Sequence, residues 1–167
     1  IGVAAGTIEG IQGVLIYMAI YLAMTLGTFA CILGMRRQGV NLEGVDDLSG
    51  LARTHPAYAF CLAMMMLSLA GIPPLAGFFS KLYVFLAAVQ AGLTALAVVG
   101  VVASVIGAYY YLRIVKIMYF DEPAGAFEPL PGNVRAVLAV TSAIVLLFWL
   151  VPAPLVGAAT VAARSLF

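Results

Sequence analysis

The stretch from Ile11 to Gly34 contains no charged side chain. At ~1.5 Å per residue it makes about 36 Å of helix, enough to cross the ~30 Å hydrocarbon layer of a bilayer. Comparable apolar runs recur at about 57–91, 94–119 and 134–151, the last followed by a proline-interrupted tail to residue 167. Little sequence remains for a water-facing surface. Of the 167 residues 65% are hydrophobic and 9% charged, against roughly 25% charged in soluble domains. The pattern predicts an all-α, polytopic integral membrane protein with four membrane-crossing segments in one unit, 1–167.

The second run is too long. As one straight helix, 57–91 would measure about 50 Å, and it contains "SLAGIPPLAGFFSKLYVF", Ser68 to Phe85. Pro73 and Pro74 have no N–H to give the carbonyls of Leu69 and Ala70, and their rings clash with the preceding turn. With Gly71 and Gly77 on either side, the helix is predicted to break between those glycines. Lipid offers a freed carbonyl no partner, so a break at membrane depth implies a protein-lined or hydrated cavity. A packing kink is the plainer alternative, since prolines are frequent in membrane helices.

Lys81 lies two turns beyond the break, with no acid in the same helix. A central charge costs at least ~2.5 kcal/mol on insertion scales, which makes an intramembrane lysine a functional-site candidate. The alternative is snorkelling, in which the stem carries the ammonium to the interface. An amine in a low-dielectric site can exchange a proton near neutral pH, whereas a guanidinium cannot. On this reading Gly77 leaves room beside the lysine stem, and Ser80 can hydrogen-bond water next to it. His55, at the start of the second run, and Tyr109, in "YYYLRIVK", are further positions where a proton path could pass. Each has an ordinary reading too, as a surface histidine and as interfacial anchoring.

The remaining features are organisational. Arg36, Arg37, Arg53, Arg113, Lys116 and Arg135 flank the two long loops, while Arg164 stands alone on the opposite side. The positive-inside rule puts both loops in the cytoplasm and the C-terminus outside. Val45, Leu48 and Leu51 are three apart, which predicts a short amphipathic surface helix. "DEPAGAFEPLPG" reads as a loop, with Asn133 as N-cap of the helix after it. Ile1 to Thr7 reads as the tail of a preceding helix, and the chain as the later part of a longer polypeptide. Cys31 and Cys61 lie in apolar runs without metal-ligand spacing and read as core residues. A net charge of +1 and the lack of nucleotide or zinc motifs set nucleic-acid binding aside.

"MMMLSLAGIPPLAGFFSKLYVF", "EGIQGVLIYMAIYLAMTLGTFACI", "DDLSGLARTHP" and "SVIGAYYYLRIVKIMYF" resemble the antiporter-like membrane subunits of bacterial proton-pumping NADH:quinone oxidoreductase, respiratory complex I, and of multisubunit cation/proton antiporters. Lysine at position 81 favours the complex I branch, in particular the C-terminal part of the subunit N type, over relatives that carry an acid there. The resemblance implies inverted repeats with broken helices and a central row of proton-carrying residues, with Lys81 as the relay lysine. It also implies a proton-translocating role in the bacterial inner membrane, with antiporter-like neighbours and lipid as partners. FMN, iron–sulfur clusters and quinone would belong to other subunits, with no cofactor and no redox chemistry in this chain. The family's first repeat has no counterpart here. Two alternatives stay open: a cation/proton antiporter subunit, and a structural membrane module in which Lys81 snorkels.

Overall fold

A computed structural model describes residues 1–167, which are mostly helical. Helix α1, Ile8–Gly34, starts where the Thr7 side chain accepts the Gly10 N–H at 3.0 Å, an N-cap that satisfies one of the helix's orphan donors. Residues 3–5 form a single 3-10 turn closed by left-handed Gly6. Residues 1–7 thus hold a 3-10 turn, and α1 begins with its own N-cap.

After α1 the chain makes a hairpin of two-residue strands, β1 (Arg36–Arg37) and β2 (Val40–Asn41), paired antiparallel. Gln38 and Gly39 at its tip both have positive φ, the requirement of a tight turn that follows strand twist. The expected surface helix around Val45 to Leu51 is split into a 3-10 turn, Val45–Leu48, and one α-turn, α2 (Leu51–Thr54). Left-handed Gly50 separates them, while Leu48 and Leu51 are buried.

The run at 57–91 is two helices, α3 (Pro56–Ala70) and α4 (Ala76–Gln90). Then come α5 (Thr94–Phe120), α6 (Gly132–Leu147) and α7 (Ala153–Arg164). By length and apolar character α1 and α5 can each cross a membrane alone. Asn133 lies inside the first turn of α6, because Pro131 takes the N-cap place. Residues 148–152, ending on Pro152, separate α6 from α7, and Pro154 sits in the first turn of α7, where a missing N–H is tolerated.

Helix α1 is the post of the fold, packing against α3, α4, α6 and α7. Its small residues make this possible. Gly13 faces the backbone of Tyr83 and Val84, so α1 and α4 approach there without side chains between them, and Gly27 makes room for the side chains of Met65 and Thr141. Helix α7 runs along the first half of α1, where Gln12 Nε2 donates to Thr160 Oγ1 at 2.7 Å. At the loop end, Gly50 N–H donates to the Ile117 carbonyl, Ala124 N–H to that of Ser49, and Glu128 N–H to that of Arg36. The two long loops are thus bonded into one cap, in which Phe127 is buried under the Arg37 guanidinium.

Helix α4 begins against the end of α3. Gly77 N–H donates to Ser68 Oγ at 2.9 Å, and a Cβ on Gly77 would overlap the Ser68 carbonyl oxygen. Gly77→Ala is therefore expected to destabilise the detergent-solubilised protein by about 1–3 kcal/mol. Gly157→Ala, inside α7 with nothing within 4 Å of its Cβ, is expected to stabilise by up to about 1 kcal/mol through helix propensity. Thermal unfolding of the two variants checks this; equal midpoints would show that the Gly77–Ser68 approach is not tight.

Candidate functional site

The break begins as a helix C-terminus. Gly71, at φ +88°, ends α3 in the left-handed region that glycine tolerates. Its N–H donates to the carbonyls of Leu67 and Ser68, and Ile72 N–H also reaches Leu67. These bonds close the last turn as a glycine C-cap does. They leave the carbonyls of Leu69 and Ala70 without backbone donors, because the residues four further on are Pro73 and Pro74. Both prolines are exposed on the connecting segment, and α4 resumes at Ala76.

Lys81 answers those two carbonyls. From the second turn of α4 its Nζ donates to Leu69 O at 2.9 Å and Ala70 O at 3.2 Å, and its third N–H goes to Ser104 Oγ on α5 at 2.7 Å. All three ammonium hydrogens are used. Neither of the chain's two ion pairs, Arg53–Glu122 and Lys116–Asp121, includes it. Backbone dipoles and one hydroxyl hold this charge in place of a carboxylate.

Lys81 and Ser104 open onto a cleft of about 440 Å³ between α1, α4 and α5, whose other polar groups come from Tyr17, Tyr21 and Tyr111. At ~30 Å³ per water molecule such a volume holds several waters. The geometry brings together a titratable amine, a hydroxyl and phenols beside space for water, and these are parts from which proton exchange can be built.

The residues singled out from sequence divide. Lys81, Gly71, Pro73, Pro74 and Gly77 come together at the break. Gly71, not Gly77, makes room for the lysine, since a Cβ there would stand 3.1 Å from Lys81 Cδ and 3.2 Å from Nζ. Gly77 instead admits Ser68. Ser80 is fully buried, and its hydroxyl donates to the Gly77 carbonyl at 2.9 Å, so it faces away from the ammonium. His55 caps the far end of α3, about 21 Å along the helix from Leu69, and stacks on Phe127. Tyr109 is 64% exposed against Tyr110 on the outer face of α5 and does not line the cleft.

Sequence reasoning did not single out Ser104, Tyr17, Tyr111 or Ser68. A signal existed for α5: Ser104, Gly107 and Tyr111 are spaced three and four apart and share one helix face. Tyr109 falls off that face.

Residues 1–107 match the transmembrane family described as NADH:quinone oxidoreductase/Mrp antiporter. Over its whole length the chain is 70% identical to NADH-quinone oxidoreductase subunit N of Methylobacterium nodulans and 65% identical to that of Beijerinckia indica, and it spans 35% of each. Among solved structures it resembles a chain of respiratory complex I from Thermus thermophilus with bound aureothin. There the TM-score is 0.78 at 29% identity, over 93% of this chain and 36% of that one. It also resembles a chain of the Mrp complex from Dietzia sp. DQ12-45-1b, with a TM-score of 0.82 at 25% identity, over 97% and 39%. The matched region contains α1, the break, Lys81 and Ser104, and the chain belongs to the NADH:quinone oxidoreductase/Mrp antiporter family of membrane proteins.

Proposed function

We propose that this chain is the C-terminal third of an antiporter-like subunit that translocates protons in the membrane arm of a bacterial NADH:quinone oxidoreductase, with Lys81 as a proton-relay residue. The observation that carries this reading is the triple hydrogen bonding of Lys81 at the helix break, beside a cleft large enough for water. An ammonium held by carbonyls is stable at depth without a permanent counter-ion, and a lysine, unlike an arginine, can exchange its proton with water in the cleft. The 70% identity to a subunit N over the whole chain favours the oxidoreductase over the cation/proton antiporter that the family description also covers. Electron transfer, with its FMN, iron–sulfur clusters and quinone, belongs in this reading to other subunits, and other antiporter-like subunits are the neighbours. Copurification in mild detergent separates the two readings: flavin and iron–sulfur proteins accompany the first and are absent from the second.

In the same reading four segments cross the inner membrane. Helices α3 and α4 together form one interrupted span, and α6 and α7 form another, since the two run in succession along α1. Arg36, Arg37, Arg53, Arg113, Lys116 and Arg135 place the bonded loop cap in the cytoplasm. A cysteine at Ser49 is then expected to react with an impermeant maleimide only from the cytoplasmic side. Labelling from the outer side would reverse the topology.

Lys81→Ala is expected to lower proton pumping and quinone-linked turnover by at least about tenfold, the scale of one lost charge-assisted contact in a rate, with the assembly still present in membranes. Lys81→Arg is expected to rescue poorly, because guanidinium does not release its proton. Pumping by the assembled Lys81→Ala complex at the unsubstituted rate would mean that the lysine is structural.

A further inference from the structure

Ser104 differs from four other helix hydroxyls of the chain. Thr28, Ser80, Thr141 and Thr160 each donate to a carbonyl of their own helix three or four residues back, the usual fate of a mid-helix hydroxyl. Ser104 makes no such bond; its Oγ accepts from Lys81 Nζ at 2.7 Å, and its own hydrogen is not committed to α5. It stands on the wall of the cleft shared with Lys81.

The three partners of Lys81 are chemically unequal. The carbonyls of Leu69 and Ala70 can only accept, so they hold the ammonium and offer nothing to the lone pair of a neutral amine. A hydroxyl accepts or donates by rotating about its C–O bond. We infer that Ser104 is the positioning residue for proton exchange at Lys81, the one partner that reverses its hydrogen bond when the amine changes charge. This inference rests on the relay role proposed for Lys81.

In the charged state all three N–H groups donate, to Leu69 O, Ala70 O and Ser104 Oγ. The N–H bonded to Ser104 is the one that leaves: as it turns from Oγ to a water in the cleft, that water takes its proton as hydronium, and the amine keeps two N–H bonds, to the two carbonyls, and gains a lone pair. Ser104 then turns its O–H toward that lone pair, so Nζ remains in the same place in both states. Reprotonation from the water side runs the same steps backwards. The other titratable side chains on this cleft are Tyr17 and Tyr21 from α1 and Tyr111 from α5, and none is within hydrogen-bonding distance of Nζ.

The test uses the full-length subunit in its assembled complex in membrane vesicles, with Lys81→Ala measured alongside. Ser104→Ala is expected to lower pumping by about tenfold and to raise the solvent deuterium isotope effect on turnover, because proton exchange becomes the slow step. Ser104→Thr, which keeps the hydroxyl, is expected to retain both the rate and the isotope effect. A Ser104→Ala complex that pumps at the unsubstituted rate with an unchanged isotope effect, beside an inactive Lys81→Ala complex, overturns the role of Ser104 and leaves the lysine relay standing. Loss of rate in Ser104→Ala and Ser104→Thr alike, with an unchanged isotope effect in both, likewise assigns Ser104 to packing alone. Full pumping by Lys81→Ala overturns the relay and this inference together.

Discussion

Two backbone carbonyls, those of Leu69 and Ala70, cannot be bonded by their own helix because Pro73 and Pro74 carry no N–H. An unsatisfied carbonyl in an apolar medium costs roughly 2–7 kcal/mol, and an isolated charge at membrane depth costs at least ~2.5 kcal/mol on insertion scales. The fold sets these two liabilities against each other. Lys81 Nζ bonds both carbonyls and Ser104, so the groups least compatible with lipid satisfy one another. Because Lys81 must reach back to the end of α3, the relation of α3 to α4 is constrained. Gly71 supplies the left-handed cap and the space for the lysine stem, and Gly77 lets α4 start against Ser68.

The rest of the molecule holds that arrangement in register. Helix α1 contacts both halves of the break and both of the last two helices, and its glycines allow the backbones close enough for dispersion contacts, the main source of helix association in lipid. Met24 of α1 reaches the break directly, its sulfur accepting the Ser68 hydroxyl. Helix α5 closes the cleft with Ser104 and Tyr111, buries Ala97, Ile117 and Met118, and leaves Val98, Val102, Val105, Ile106 and Tyr109 exposed. The loop cap ties the end of α5 to the segment before α3 through the Gly50–Ile117 and Ser49–Ala124 bonds. The two helices that supply the partners of Lys81 are thereby fixed relative to each other.

Covalent chemistry makes the break legible in the sequence: proline's missing donor is enough to identify Leu69 and Ala70 as the orphaned carbonyls. Lys81 is legible because its charge conflicts with its surroundings. What depends on helix phase is not. Tyr109 and Tyr111 look alike in "YYYLR", yet only Tyr111 shares the Ser104–Gly107 face, and which face of α5 turns inward is set by tertiary packing. The room for the lysine stem comes from Gly71 rather than Gly77 for the same reason, since proximity along the chain cannot tell which neighbour a glycine admits. The β1–β2 hairpin escapes a periodicity reading because strands of two residues carry no period, and of its two tip residues only Gly39 is a turn former. Asn133 loses the N-cap place to Pro131 by a shift of two residues, within the usual uncertainty of helix ends.

The most direct measurement is the ¹⁵N spectrum of Lys81 Nζ in the membrane-embedded complex, assigned by its disappearance in Lys81→Arg and recorded at rest and during steady-state quinone reduction. Proton exchange at Lys81 predicts a signal at the ammonium position at rest that moves toward the amine position during turnover. A signal fixed at the ammonium position in both conditions would contradict it, and would leave the lysine as a static partner of the carbonyls at the break.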